Sequence, residues 1–194
     1  MTDISVMTEI NDNTDPLPAS VTRFVLHWGD LGSQWGVNRS VAQIHALLYL
    51  SERPLNAEEI ADQLGLARSN VSNSIKELVS WGLIRRSPLL GDRRDHFIAE
   101  TDIWEIVTRI ARGRKTREVD PAEAALRACT IDADRDPAIS NVARQRLRDM
   151  LDFVTTMSRW HDEMMQVPKP TLMAFIKMGA KVTRFLGRGK TKAA

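Results

Sequence analysis

The chain has 194 residues, 43% of them hydrophobic, and its formal net charge is +2. This hydrophobic share supports a folded core and excludes wholesale disorder, while the single cysteine, Cys129, excludes an intrachain disulfide and a metal site built from cysteines alone. The N-terminus lacks the basic and apolar regions of a secretory signal, and no stretch reaches the ~18–20 apolar residues of a membrane span, so we expect a cytoplasmic protein.

The first part of the chain predicts an arm followed by an amphipathic helix. Residues 1–19 are polar and include two prolines, which is typical of a flexible arm. Between residues 21 and 35 apolar side chains recur at helical spacing, and Gly36 ends that pattern. We therefore expect the folded region to begin with a helix that has one apolar face.

Two capping patterns predict where the next two helices start. Ser40 followed by Gln43, and Asn56 followed by Glu59, each match a capping box, in which two side chains satisfy backbone N–H groups of the first helical turn. Gly65 is expected to end the second of these helices, because glycine readily adopts the left-handed conformation that follows a last helical turn.

A third helix and a hairpin complete this region of the chain. The pattern over residues 69–81 predicts a helix that is closed by Gly82. Two short extended runs follow at residues 83–87 and 94–99, and the turn between them contains Gly91. The order helix, helix, turn, helix, hairpin is the layout of a winged helix-turn-helix domain.

The remainder of the chain predicts further helices. Asp102 suits the N-cap of one helix, and Asp120 and Asp136 each precede a proline, which places a cap residue before a proline at the first helical position. The helix that starts at Asp136 is expected to run to Pro168, and a last apolar helix covers residues 172–186.

The predicted fold is mainly α with a small β-hairpin wing, in which a winged helix-turn-helix domain is accompanied by N- and C-terminal dimerisation helices. Cys129 lies among alanine and aliphatic residues, which favours a small buried side chain over a redox sensor. The predicted regions are a flexible arm at 1–19, the N-terminal helix and winged helix-turn-helix DNA-binding domain at 20–118, a helical dimerisation region at 119–186 and a disordered basic tail at 187–194.

The helix predicted at residues 69–81 has two chemically different faces. Val71, Ile75 and Leu78 fall on one face and are expected to pack against the preceding helices. The other face carries short polar side chains, which let the backbone approach DNA while they hydrogen-bond to bases or phosphates. Asn70 and Asn73 are candidates for reading adenine, and a phosphate contact or plain solvation stays open for each. The candidate DNA-binding residues on and beside this helix are Arg68, Ser69, Asn70, Ser72, Asn73 and Lys76.

Positive charge is concentrated between Arg68 and Arg94, where six basic and two acidic residues give +4. Such a local field is typical of a phosphate-binding surface, although a solvated run of charges has the same composition. Near the hairpin tip, Arg93 and Arg94 are suited to a narrow minor groove, and Arg86 adds a further cation. Asp92 is expected either to orient Arg94 through a charge-assisted hydrogen bond or to cap the turn.

The hairpin and the segment after it resemble MarR-type transcriptional regulators. The run Asp-Arg-Arg at residues 92–94 looks like the wing signature of that family, and its continuation over residues 91–107 is closer still to the GbsR branch. The resemblance covers about residues 21–184. It departs from the broader pattern at Glu100, where an aliphatic residue is usual, and this affects local packing more than DNA contact.

The resemblance implies a homodimer that binds a pseudo-palindromic operator in double-stranded DNA, usually as a repressor. Two rigidly spaced copies meet successive major grooves about 34 Å apart, which supports the dimer on physical grounds. In the best-known members of the branch a small effector, choline or a related betaine, binds near the dimer interface. Trp28 and Trp35 share a helix face and, with Tyr49, are candidates for a cation–π site, although an aromatic stripe at helical spacing is more often core or interface packing.

Two other classes of protein compete with this interpretation. An enzyme is disfavoured because the histidines are scattered and no phosphate-binding loop or nucleophile elbow is present, so we predict no catalytic residues, no metal site and no cofactor. His96, in the wing, is interpreted as a DNA-facing or solvated group. The alternative function is a winged-helix protein-interaction or RNA-binding module without operator recognition.

Overall fold

A computed structural model describes residues 17–175 and residue 178. The chain divides into two compact units, with the boundary between Ile106 and Val107. The predicted tail at 187–194, most of the predicted arm and most of the predicted helix at 172–186 lie outside the described residues. None of the helices within residues 17–175 has the length and apolar character that crossing a membrane requires.

The first unit has the predicted helices and hairpin. The mainly α fold with a small β-sheet is therefore confirmed. Its elements are α1 (Ala19–Gln34), α2 (Arg39–Leu50), β1 (Leu55–Asn56), α3 (Ala57–Leu64), α4 (Arg68–Ser80), β2 (Ile84–Arg86), β3 (His96–Ala99) and the first turn of α5 (Ile103–Arg114).

The starts of α2 and α3 show which sequence patterns act as caps. The capping box predicted at Ser40 is wrong, because Asn38 is the N-cap of α2 and accepts a hydrogen bond from the backbone N–H of Ser40 at 2.9 Å. Asn56 and Glu59 do form the predicted box: each side chain accepts from the other residue's backbone N–H, at 3.0 and 2.8 Å. Gly65 ends α3 with φ +62°, the left-handed conformation predicted for it.

A three-stranded antiparallel sheet, in the order β1-β3-β2, connects the wing to the helical part of the first unit. The predicted hairpin is formed by β2 and β3, with Ile84 opposite Ala99. Strand β1 was not predicted, because two residues are too few to show an alternating pattern. Its pairing with β3, Leu55 opposite Phe97, places the start of α3 beside the wing.

The core of the first unit is centred on α2, which packs against α1, α3, α4 and β3. The largest fully buried aliphatic side chains include Ile44 and Leu47 of α2, Ile60 of α3, and Val71 and Leu78 of α4. Burying a side chain of this size contributes roughly 1.5–3 kcal/mol. The buried positions of α4 therefore hold this helix against α2 and α3.

The second unit begins at Val107, and its described residues are mainly helical. After α5, a π-helical segment (Lys115–Val119) leads without a break into α6 (Asp120–Arg135). The helix start predicted at Asp120 is therefore wrong. Proline removes one helical N–H donor and crowds the preceding turn, and the wider π-helical turn just before Pro121 is one way to keep such a residue within a continuous helix.

The last long helix, α7 (Asn141–Gln166), also starts later than predicted. Asp136 accepts a hydrogen bond from the backbone N–H of Ala138 in a turn, and Ser140 is the N-cap of α7. The buried position predicted for Cys129 is wrong for the single chain, since this cysteine is exposed on α6. Residues adjacent in sequence point to different sides of a helix, so the apolar residues beside Cys129 in sequence do not show that Cys129 itself is buried.

Candidate nucleic-acid interface

Helix α4 has one buried and one exposed face. Val71, Ile75 and Leu78 are at most 6% exposed and lie in the core. Serine and asparagine have low helix propensity, and this packed face stabilises the helix in spite of them. The exposed side chains of α4 include those of Arg68, Ser69, Ser72, Asn73 and Lys76.

Asn70 differs from the other polar residues of α4. Its side-chain N–H donates to the hydroxyl of Ser40 in α2 at 2.8 Å, and its side-chain oxygen accepts from the hydroxyl of Ser74 at 3.4 Å. Ser40 and Ser74 are both buried. The amide of Asn70 therefore joins α4 to α2 inside the protein.

The wing ends in a turn in which the N–H of Asp92 donates to the carbonyl of Leu89. Asp92 makes both contacts that the sequence left as alternatives. One of its oxygens accepts from the backbone N–H of Arg94 at 2.9 Å, and the other lies 2.6 Å from Nη2 of the same residue. The hydrogen bonds from Arg94 lower the pKa of Asp92 to about 2, so the carboxylate is charged at neutral pH. Arg93 is exposed beside it.

Glu58, in the first turn of α3, lies among these cations and was missed by the sequence analysis. One oxygen of its carboxylate is 2.9 Å from Arg68 Nη1, and the other is 3.4 Å from Arg94 Nη1. Arg94 is 36 residues away from Glu58 in sequence. The charge count over residues 68–94 did not include it, and no local pattern points to this contact.

An open groove of about 510 Å³ lies between α3, α4 and the wing. Lys76, Arg86 and Arg94 all contribute to its lining, together with Ser72 from the exposed face of α4. Arg86 is 3.5 Å from Asp95. The groove thus brings the cations of α4 and the wing into one surface.

The model of the MarR family matches residues 35–95, from the residue after α1 to the residue before β3. The chain carries a MarR family domain. The members of this family are DNA-binding transcriptional regulators. The predicted function, a DNA-binding transcriptional regulator and not an enzyme, is therefore confirmed.

Two relatives match well beyond the MarR domain. The HTH-type transcriptional repressor GbsR of Bacillus subtilis is 25% identical over 133 residues, which cover 65% of this chain and 73% of GbsR. The HTH-type transcriptional regulator MmpR5 of Mycobacterium tuberculosis is 28% identical over 152 residues, which cover 76% of this chain and 87% of MmpR5. A crystal structure of a transcriptional regulator, 22% identical, has a TM-score of 0.58 and covers 75% of this chain and 95% of that chain, so it shares the fold.

Of the candidate effector residues, Trp28 lies in α1, Trp35 directly follows that helix and Tyr49 lies in α2. Trp28 stacks on Phe24 with ring centroids 5.6 Å apart, and the ring centroids of Tyr49 and His45 are 6.4 Å apart. Trp35, 61% exposed, directly follows α1, whereas Tyr49 lies near the far end of α2, about 15 Å of helix rise from its start.

Two histidines of the first unit are buried. His96 is 3% exposed, and its Nδ1 lies 3.0 Å from the carbonyl oxygen of Arg94, so its interpretation as a DNA-facing or solvated group is wrong. The Nε2 atom of His45 is buried and has no hydrogen-bond partner among the described residues, and burial lowers the pKa of His45 to about 4. Within residues 17–175, no three histidine, cysteine or acidic side chains are grouped so that they could hold a metal ion.

Proposed function

We propose that the protein represses transcription as a homodimer on a pseudo-palindromic operator, with α4 in the major groove and the wing at the adjacent minor groove. The exposed Ser69, Ser72, Asn73 and Lys76 of α4, beside the arginines of the wing, carry this proposal. Short polar side chains suit base edges, while Arg86, Arg93 and Arg94 suit phosphates and a narrow minor groove. A repressor acts where the chromosome is, so we place the protein in the cytoplasm.

The DNA-binding face is tested with the protein's own upstream region. We expect specific retention of that fragment, and binding that weakens steeply as salt is raised, because cations released from phosphates contribute to affinity. Retention of RNA but not duplex DNA, or of neither, would favour the interaction module over operator recognition.

The wing is tested by Arg94→Ala. We expect operator affinity to fall roughly tenfold, since one charged contact to DNA is lost, while the thermal melt and the oligomeric state stay the same. Arg23→Ala, which removes an equal charge from an exposed position of α1, is the matched control. Unchanged affinity of Arg94→Ala at several salt concentrations would remove the wing from the mechanism.

The second unit supports the homodimer. Phe153, Met157 and Trp160 of α7 are 42–62% exposed in the single chain and fall on one side of the helix, with Met150. Large apolar side chains at helical spacing are typical of a face that a second copy covers. Light scattering of the purified protein should give twice the mass of one chain.

We further propose that a small effector releases the operator, a quaternary ammonium compound being the first candidate. The effector proposal rests on the likeness to GbsR and on the aromatic side chains of Trp28, Trp35 and Tyr49. Trp28 and Trp35 are convenient fluorescent reporters. Choline or glycine betaine should change tryptophan emission in a saturable way and reduce operator retention, and a flat titration to millimolar concentration would exclude both compounds.

A further inference from the structure

The carboxylate of Glu58 lies between the first residue of α4 and the wing. Its two oxygens are divided between two guanidinium groups, at 2.9 Å from Arg68 and 3.4 Å from Arg94. The side chains of Glu58, Arg68 and Arg94 are 46%, 74% and 56% exposed. An anion therefore already occupies the place where the cations of α4 and the wing come together.

The chemistry of this position suits a phosphate as well as a carboxylate. A guanidinium N–H donates to a phosphate oxygen as well as to a carboxylate oxygen, and Glu58 meets each guanidinium through one nitrogen, Nη1. Glu58 also stands in the first turn of α3, where the helix dipole favours negative charge. Glu58 and Arg94 line the groove together with Lys76 and with Arg86, which lies 3.5 Å from Asp95.

We propose that the Glu58 carboxylate holds the position of one DNA backbone phosphate and competes with it, so that Glu58 lowers the affinity of this protein for all duplex DNA. The inference rests on the DNA-binding face proposed above. It assigns a phosphate subsite to Arg68 and Arg94 and a restraining role to Glu58, which the sequence analysis did not identify.

The strength of the contacts permits such an exchange. Ion pairs between exposed side chains are worth little in water, so a phosphate can displace the carboxylate from both arginines. After displacement, Glu58 remains close to the bound phosphate and repels it. Because every duplex has the same phosphates, this repulsion weakens operator and non-operator DNA alike.

The test is Glu58→Gln, which keeps the size of the side chain and removes its charge. Asp62→Asn is the matched control, because it changes the net charge equally from an exposed position of the same helix. Dissociation constants are measured by fluorescence anisotropy, on the operator fragment and on a scrambled duplex, over a range of salt concentrations. A thermal melt verifies that both variants are folded.

We expect Glu58→Gln to bind both duplexes roughly threefold to tenfold more tightly than the wild type, with the ratio between them unchanged. The slope of the logarithm of affinity against the logarithm of salt concentration should become steeper, by up to about the contribution of one phosphate contact. In an Arg94→Ala background the gain should shrink, because one of the two arginines that Glu58 occupies is missing.

Three outcomes would overturn the proposal. If Glu58→Gln binds like Asp62→Asn, Glu58 does not compete with a phosphate. If it binds more weakly than the wild type, Glu58 positions the two arginines for DNA instead of restraining them. If the wild type binds no duplex, the proposed DNA-binding face fails, and this inference fails with it.

Discussion

At the scale of single residues, the polar side chains of α4 differ in whether the protein already uses them. The side chain of Asn73 is exposed and makes no hydrogen bond to another described residue, whereas the amide of Asn70 is bound to Ser40 and Ser74. An unengaged amide exchanges water for a base edge at little cost, while an engaged one must first break contacts inside the protein. We therefore assign base reading to Asn73 and positioning of α4 to Asn70.

Asn73→Ala should weaken operator binding by about 1–3 kcal/mol and leave the affinity for a scrambled duplex within about twofold. Asn70→Ala is the contrasting variant, since it should lower the melting temperature by breaking the bond to Ser40. Both are measured by anisotropy and thermal melting. An equal loss on all sequences would mark Asn73 as a phosphate contact.

His45 predicts how stability depends on pH. Its pKa is about 4 in the folded chain, against 6.5 for an unperturbed histidine, because burial disfavours the charged ring. The unfolded chain therefore takes up this proton first, and stability falls as the pH drops from 6.5 towards 4. The full loss corresponds to roughly 3 kcal/mol of unfolding free energy.

His45→Leu should flatten this part of the pH profile, measured by urea unfolding between pH 7 and 4.5. The exposed His27 in α1 supplies the control, His27→Leu, which should retain the wild-type slope. If His45→Leu and the wild type lose stability in parallel, other groups cause the acid sensitivity.

At the scale of elements, α1 and α2 approach closely because a glycine faces an alanine. A Cβ built on Gly32 would lie 2.6 Å from the Cβ of Ala42, which is buried and has no rotamer to change. The close approach of α1 and α2 therefore depends on the absence of a side chain at Gly32. An amphipathic pattern predicts a helix such as α1 but not the distance between α1 and α2, which depends on how the two helices pack.

Gly32→Ala should destabilise the fold by about 1–2 kcal/mol, as the overlap with Ala42 outweighs the gain in helix propensity. Gln34→Ala, at an exposed position of the same helix, should have almost no effect. The measurement is the midpoint of urea unfolding. A more stable Gly32→Ala would show that α1 and α2 can move apart freely.

At the scale of the whole molecule, the proposed operator recognition requires two copies of the DNA-binding face held at a set spacing. A single copy makes too few contacts for high affinity, and a rigid pair makes the second contact effectively intramolecular. The exposed apolar side chains of α7 are the proposed means of pairing. Changes in α7 should therefore lower DNA affinity, although α7 supplies none of the proposed DNA contacts.

Phe153→Glu should convert the dimer to a monomer in light scattering and reduce operator affinity by at least about tenfold, because a charge cannot be buried unpaired in an apolar interface. Arg159→Glu places a glutamate on the same helix about 140° away from the apolar stripe and should remain dimeric. A monomeric wild type, or a dimeric Phe153→Glu with normal affinity, would contradict this arrangement.

The sequence by itself determined the parts of this protein that depend on local interactions. The Asn56–Glu59 capping box, the left-handed Gly65 and the two faces of α4 follow from side chains within a few residues of one another. The same local reasoning failed at Ser40, Asp120 and Asp136. At each of these positions a competing cap or a turn of another kind was available nearby, and the pattern alone does not rank the alternatives.

Only the tertiary structure decided which groups meet across the chain. It placed β1 beside β3, buried the side chain of His96 in β3 and brought Glu58 between Arg68 and Arg94. It also tied Asn70 to Ser40, 30 residues away. These contacts join residues that are too far apart in sequence for a helical or strand periodicity to relate them. They form because burial of the apolar faces of α2, α3 and α4 brings the polar residues beside those faces together.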